Sequence, residues 1–87
     1  MYQIVYSKRA VKDIKNLQSA GLDKNAKELI KLIKNNPFQA PPTFEKLQGN
    51  LLGMYSRRIN IQHRIIYEVF KDEKIIKIIR MWTHYER

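Results

Sequence analysis

Three residues with catalytic potential lie in the second half of this 87-residue chain. Glu45, Arg64 and His84 carry the side-chain types that cleavage of RNA by its own 2′-hydroxyl requires: a base, a cation over the phosphate and a proton donor. Each acid–base partner typically contributes about 10²–10⁴ in rate, and a well-placed cation adds electrostatic stabilisation. Taken singly, however, a glutamate at the start of a strand is usually a surface charge, and a histidine near a chain end is commonly solvated. The sequence spacing of these three residues therefore does not decide whether they form a catalytic site.

Basic residues dominate the charge balance and fall into two groups. Seventeen Lys and Arg against eight Asp and Glu give a formal net charge of +9. Seven of the eleven lysines precede residue 40, whereas five of the six arginines lie at residue 57 or later. A field of this sign attracts polyanions, and arginine suits bidentate phosphate contact better than lysine does. The pattern favours nucleic acid over a membrane as partner and the C-terminal half as the contact region, although a generic solvated basic surface is the alternative.

The composition limits the remaining classes of protein. With 44% hydrophobic residues, the chain is predicted to form one domain, residues 1–87, around a single core. The absence of cysteine excludes disulfides and thiolate metal sites and favours a cytoplasmic location. Two histidines alone would not make a typical zinc site, so we expect no metal and no other cofactor. Neither a secretion signal nor an apolar run of ~20 residues that could span a membrane is predicted.

The first half of the chain is predicted to contain a strand and an αα-hairpin. Residues 2–6 are aromatic and β-branched, as is typical of a strand. Ser7 can cap a helix that ends at Ala20-Gly21, and Asp23 can cap a second helix that Pro37 terminates. The apolar residues of the second helix follow the i, i+3, i+4, i+7 spacing of a buried stripe: Ala26, Leu29, Ile30 and Ile33.

The second half has the period-two pattern of β-structure. Strands are predicted over residues 43–47, 54–61, 64–70 and 74–82, with tight turns around Gln62-His63 and residues 71–73. A strand, two helices and then an antiparallel β-meander make an α+β fold, with the helices on one face of the sheet and the other face open. The last strand would deliver His84 and Tyr85.

Side-chain alternation assigns the residues of the central hairpin to the two faces of this sheet. The residues predicted to face the helices are Ile65, Tyr67 and Val69 in one strand and Tyr55, Arg57, Ile59 and Ile61 in the other. The residues predicted on the open face are Ser56, Arg58, Asn60, Arg64 and Glu68. Arginines on an open sheet face suit RNA binding, but ordinary cross-strand solubilising charges would give the same pattern.

Three motifs are spread over the C-terminal half. They are Asn-Leu-x-Gly-x-Tyr-Ser-Arg-Arg-Ile at residues 50–59, His-Arg-(apolar)₂-Tyr at residues 63–67, and His-Tyr at residues 84–85. In these motifs, in length and in the order of elements, the chain resembles the YoeB/Txe toxins of the RelE superfamily. The resemblance is most specific over residues 45–67. It implies a RelE-like fold and a toxin of a type II toxin–antitoxin system that cleaves messenger RNA in the ribosomal A site without metal. The expected product is a 2′,3′-cyclic phosphate, and translation is inhibited.

The resemblance also implies roles for individual residues. It makes Glu45 the general base, Arg64 a phosphate ligand and His84 the general acid, with Tyr85 beside it and Arg58 near the scissile phosphate. Further candidate RNA contacts are Arg57, Lys46, Arg80 and Trp82.

The sequence departs from the family pattern at two places. Gln48 stands where a lysine can occur, and Glu86-Arg87 extend past a His-Tyr pair that is often terminal and could crowd Tyr85. The partners implied are an antitoxin, messenger RNA, the ribosomal 30S A site and a second copy in a homodimer. Two other functions stay open: a non-enzymatic gyrase inhibitor resembling the ParE toxins, and a passive basic nucleic-acid-binding module.

Overall fold

A computed structural model describes residues 1–51 and 53–84 of the chain, with Thr83 and His84 described by their backbone. The elements in chain order are β1 (Gln3–Tyr6), α1 (Lys8–Ser19), α2 (Asp23–Asn35), β2 (Phe44–Lys46), a 3₁₀ turn (Gly49–Leu51), β3 (Met54–Arg58), β4 (His63–Phe70) and β5 (Ile75–His84). This arrangement confirms the predicted α+β class.

The sheet formed by the described residues has five strands in the order β1-β5-β4-β3-β2. Strands β2 to β5 pair antiparallel with their neighbours, as predicted for the meander. Strand β1 joins the other edge parallel to β5, so the sheet is mixed. The αα-hairpin follows β1 and connects it to β2, which lies at the opposite edge of the sheet.

Helix α1 begins and ends with the signals that its sequence carries. The Oγ of Ser7 accepts a hydrogen bond from the Ala10 N–H at 3.0 Å, which confirms the predicted cap. At the other end Gly21 adopts a φ of 72°. The N–H groups of Gly21 and Leu22 then donate back to the carbonyls of Gln18 and Leu17, in the pattern of a Schellman motif.

Helix α2 differs from the prediction at its start. Its N-cap is Leu22, and within the described part of the chain no side chain caps it. Asp23 is the first helical residue, so the predicted Asp23 cap is wrong, although a carboxylate in the first turn still interacts favourably with the helix dipole. No helix among the described residues is long and apolar enough to cross a membrane.

The core lies between the two helices and one face of the sheet. Its buried residues are Ala10, Leu17, Ala26 and Ile33 from the helices and Ile65, Tyr67, Ile76, Ile78 and Met81 from β4 and β5. The predicted inward position of Ile61 is wrong, since this side chain is 83% exposed. Strand β3 ends at Arg58, and the chain then bends into β4, where the Ile59 N–H donates to the His63 carbonyl at 2.7 Å.

Candidate active site

Strands β2, β3 and β4 bring a carboxylate, a hydroxyl and a guanidinium together. Their pairing places Glu45 opposite Ser56 and Arg58 opposite Arg64. The Nη1 of Arg64 donates to Glu45 Oε1 at 2.9 Å and to Ser56 Oγ at 2.9 Å. The structure therefore joins Glu45 and Arg64, two of the residues that the sequence selects, although they are 19 positions apart.

The Arg64 side chain spans the width of a strand to reach Glu45. Neighbouring strands lie about 4.8 Å apart, so β2 and β4 are separated by roughly 10 Å. The guanidinium crosses β3 at Ser56, whose small side chain leaves the path open and accepts a hydrogen bond on the way. Sequence reasoning placed Ser56 on the open face but gave it no role. Ser56 pairs with Glu45 on one side and with Ile66 on the other, so it lies diagonal to Arg64, whose own partner in β3 is Arg58.

Arg64 occupies the predicted face but is not solvent-exposed. Its neighbour Ile65 is buried in the core, so alternation turns Arg64 to the opposite face of β4. The Arg64 side chain is nevertheless only 7% exposed, whereas that of its partner Glu45 is 56% exposed. A buried guanidinium with an accessible carboxylate leaves the carboxylate as the group that solvent or a ligand reaches first.

These residues line a pocket of about 240 Å³, open to the outside. Its walls are formed by Pro42, Thr43, Glu45, Ser56, Arg58 and Arg64. Drug-sized ligands occupy clefts of roughly 300–1,000 Å³, so this pocket is too small to enclose a whole ligand of that size. Two arginines and one carboxylate make it cationic, and Arg58 is exposed on the same face of the sheet as Arg64, as the alternation of side chains predicts.

Arg57 is the clearest correction to the predicted site. This side chain is 1% exposed and points away from the pocket. Its Nε donates to the Tyr67 hydroxyl at 3.0 Å, and its two terminal nitrogens donate to the carbonyls of Pro37, Gln39 and Pro42 at 2.7–3.0 Å. A guanidinium engaged in this way presents no surface to RNA. We therefore replace the predicted RNA contact by a structural role: Arg57 holds the loop between α2 and β2.

Three other predicted RNA contacts also lie away from the pocket. Arg80 is on the helix side of the sheet, where its Nε donates to Asp13 of α1 at 3.0 Å. Trp82 is half-buried and stacks on the His63 ring with 4.0 Å between centroids. Lys46 is exposed at the sheet edge, but it follows Glu45 and so starts from the opposite face of β2. None of these three residues is among the described residues that line the pocket around Glu45 and Arg64.

His84 is the last residue of β5, and its position along the sheet is defined by its backbone. It pairs with His63, and the preceding Thr83 pairs with Arg64. Along β5, the backbone of His84 therefore lies one residue past the position opposite Arg64. The His84 side chain and the whole of Tyr85 lie outside the described residues, so their catalytic roles stay predictions. No group of three His, Cys, Asp or Glu in the described part of the chain is placed to hold a metal ion.

Solved toxins of bacterial toxin–antitoxin systems share this architecture. A YoeB/ParE toxin from Agrobacterium tumefaciens superposes with a TM-score of 0.85 at 28% identity, over 95% of this chain and 99% of the other. The YoeB–YefM complex from Staphylococcus aureus contains a chain that superposes with a TM-score of 0.80 at 38% identity, over 98% and 99%. The fold and the pocket together therefore define a toxin of the YoeB and RelE type.

The family assignment follows from the sequence match. The family model described as a YoeB-like toxin of bacterial type II toxin–antitoxin systems matches residues 6–85, and the chain belongs to this family. Toxin YoeB of Synechocystis is 41% identical over 59 residues, and Toxin YoeB of Escherichia coli K12 is 40% identical over 57 residues. These matches cover 68% and 66% of this chain, and 66% and 68% of the two relatives. The chain thus spans about two thirds of the length of the curated relatives it matches.

Proposed function

We propose that this toxin is a ribosome-dependent endoribonuclease that cleaves messenger RNA in the A site without a metal ion. The observation that carries the proposal is the pair formed by Glu45 and Arg64, 2.9 Å apart in an open pocket, with the backbone of His84 alongside. A carboxylate, a guanidinium and a neighbouring histidine are the groups that attack by the 2′-hydroxyl needs. Both inhibition of translation and a cytoplasmic site of action follow from such an activity.

The reaction can be assigned to side chains atom by atom. Glu45 accepts the proton of the 2′-hydroxyl while the 2′-oxygen forms a bond to phosphorus. Arg64 stabilises the charge that develops on the phosphate oxygens. The bond from phosphorus to the 5′-oxygen breaks, and His84 donates a proton to that oxygen. The products are a 2′,3′-cyclic phosphate on one fragment and a 5′-hydroxyl on the other.

The ion pair seen without RNA has a consequence for the first step. The Nη1 of Arg64 has two hydrogens, and Glu45 and Ser56 accept them. A phosphate that binds Arg64 competes with the Glu45 carboxylate, which is the more exposed partner and the freer to move. Phosphate binding therefore releases Glu45 to act as a base next to the nucleotide that has just bound.

An open cationic pocket captures RNA but does little by itself to orient it. Orientation of the 2′-hydroxyl in line with the leaving oxygen is a large part of the barrier, because a misplacement of about 1 Å can cost 10²-fold in rate. We propose that the ribosome supplies this orientation, so that free RNA is cut slowly and ribosome-bound message much faster. Equal turnover on naked and ribosome-bound message would contradict this part of the proposal.

The charge of the chain suggests the nature of its protein partner. A net charge of +9 is suited to an acidic or mixed antitoxin segment, which would also offset like-charge repulsion. The S. aureus relative has been solved with YefM and also as a YoeB dimer. We propose that this toxin likewise binds a cognate antitoxin and pairs with a second copy of itself.

The direct test is a comparison of two glutamate substitutions in an in vitro cleavage assay on programmed ribosomes. Glu45→Gln keeps the size of the side chain but removes the base, and cleavage should fall by about 10²–10⁴. The matched control is Glu73→Gln, in the exposed turn between β4 and β5, which should cleave like the parent. Parental cleavage by Glu45→Gln would contradict the proposal.

The same substitutions separate the two other functions. A gyrase inhibitor of the ParE type needs no base and acid, so a chain with Glu45→Gln and His84→Ala would still arrest growth. A passive nucleic-acid-binding module would yield no product, and its affinity for single strands would fall with salt by a log–log slope of about −0.7 per phosphate contact.

A further inference from the structure

Asp13 of helix α1 holds three consecutive residues of β5 with a single oxygen atom. Its Oδ2 accepts hydrogen bonds from Arg80 Nε at 3.0 Å, from the Met81 N–H at 2.9 Å and from the Trp82 N–H at 3.1 Å. Asp13 is only 4% exposed, so this carboxylate is desolvated and depends on these donors. Neither the proposed chemistry nor the core packing requires a buried acid at this place.

The three bonds coincide with a break in the pairing of β4 and β5. Ile66 pairs with Arg80 and Arg64 pairs with Thr83, so β4 advances by two residues while β5 advances by three. This irregularity is a β-bulge, which leaves an extra residue of β5 without its ladder partner. A separate register shift precedes it, since Tyr67 pairs with Ile78 whereas the adjacent Ile66 pairs with Arg80. In a regular strand successive N–H groups point to opposite sides, but here the N–H groups of Met81 and Trp82 converge on one carboxylate oxygen. Asp13 thus satisfies the donors that the bulge exposes.

The bulge sets the register of the last residues of β5. Because of the extra residue, Thr83 lies opposite Arg64 and His84 lies opposite His63. Without the bulge the strand would slip by one residue. Trp82 would then lie opposite Arg64 and Thr83 opposite His63, His84 would move one residue further from Arg64, and the two faces of the strand end would exchange. The position of His84 relative to the Glu45–Arg64 pair therefore depends on whether the bulge is held.

We propose that Asp13 is a positioning residue for the RNA-cleaving site. It lies on the helix side of the sheet, hydrogen-bonds to β5, and acts through the backbone of that strand on the register of Thr83 and His84. The inference rests on the proposed nuclease function only in its effect on rate. The control of the β5 register by Asp13 does not depend on which substrate the toxin cleaves.

Substitutions that remove different numbers of the three bonds test this role. Asp13→Ala removes all three, whereas Asp13→Asn keeps an oxygen for the two backbone N–H groups but loses the ion pair. Arg80→Gln removes the ion pair and leaves the carboxylate for the backbone. The control is Asp72→Asn, the same chemical change at an exposed turn between β4 and β5.

The measurements are kcat and KM on ribosome-bound message, normalised to the folded fraction, together with cross-strand NMR contacts between Thr83 and Arg64. Asp13→Ala should lower kcat by about 10²-fold and leave KM within about twofold, because phosphate binding at Arg64 is untouched. The NMR contacts between Thr83 and Arg64 should weaken in each variant in proportion to its loss of kcat. Asp13→Asn and Arg80→Gln should lie between Asp13→Ala and the parent, and Asp72→Asn should match the parent.

The outcomes distinguish failure of this inference from failure of the proposed function. Parental kcat and intact contacts between Thr83 and Arg64 in Asp13→Asn and Asp13→Ala would overturn the role of Asp13 while the nuclease stands. If Asp13→Ala does not fold, Asp13→Asn and Arg80→Gln decide in the same way. A parent protein that does not cleave would refute the nuclease, and the NMR contacts would then still decide whether Asp13 sets the register.

Discussion

Replacing Arg57 by alanine should remove about half of the stability of the fold, whereas the same change at its neighbour Arg58 should cost little. The two residues are adjacent in β3 and identical in type, but Arg57 is 1% exposed and Arg58 is exposed. Two of the hydrogen bonds of Arg57 are buried, those to the Tyr67 hydroxyl and the Pro37 carbonyl, both at 3.0 Å. The two arginines differ only in the face of β3 to which their side chains point, so the comparison tests the geometry of the sheet directly.

The magnitude follows from those two bonds. Hydrogen bonds that involve a charged group are worth about 1.5–3 kcal/mol each, so the buried pair contributes about 3–6 kcal/mol. The hydrogen bonds to the carbonyls of Gln39 and Pro42 contribute little to the free energy of unfolding, because these residues are exposed and water can replace the guanidinium. A chain of this length has a free energy of unfolding of about 4–13 kcal/mol. The loss in Arg57→Ala is therefore a large fraction of the total.

Urea unfolding followed by the fluorescence of the single tryptophan measures both variants. We expect Arg58→Ala to stay within about 0.5 kcal/mol of the parent, as a surface substitution does. Arg57→Lys, which keeps the charge but not the planar set of donors, should fall between the two alanine variants. Equal destabilisation by Arg57→Ala and Arg58→Ala, or a loss below about 1 kcal/mol for Arg57→Ala, would refute the buried role of Arg57.

Two further predictions concern the site and the core. Ser56→Val should lower kcat on ribosome-bound message by about tenfold or more while the fold persists, because a branched side chain blocks the path of the Arg64 side chain over β3. An unchanged kcat would contradict the role of Ser56 in the approach of Arg64 to Glu45. Burial raises the pKa of the Tyr67 phenol above its ordinary value near 10, and the neutral phenol donates to the Pro37 carbonyl at 2.9 Å. Stability from Tyr67 should therefore be present below about pH 10 and be lost as the pH rises through the raised pKa. Urea midpoints should fall more steeply between about pH 9 and 11 for the parent than for Tyr67→Phe, and parallel curves would contradict this.

Local signals were sufficient to predict the parts of the fold that local interactions determine. The Ser7 cap needs only the N–H of Ala10, three residues away, and the face of Arg64 follows from simple alternation along β4. Glu45 and Arg64 were chosen by resemblance, and the pairing of β2, β3 and β4 brings them into contact.

The missed features depend on partners that are distant in sequence. Side-chain alternation turns Arg57 inward, but nothing local shows that the carbonyls of Pro37 and Pro42 converge on it from 20 and 15 residues away, and so its structural role does not follow from the sequence. The ion pair of Arg80 with Asp13 joins residues 67 positions apart. The bulge in β5 adds one residue to one strand and leaves no periodic signal. Buried charges and bulges are thus the features that a single sequence conceals.

The most direct test of the proposed function is the chemistry of the RNA ends that the toxin leaves. Programmed ribosomes are incubated with the parent protein, and the cleaved message is mapped and analysed at both new ends. We expect cleavage within the A-site codon, a 2′,3′-cyclic phosphate on the upstream fragment and a 5′-hydroxyl on the downstream fragment. A 3′-hydroxyl with a 5′-phosphate would contradict attack by the 2′-hydroxyl under the control of Glu45, Arg64 and His84.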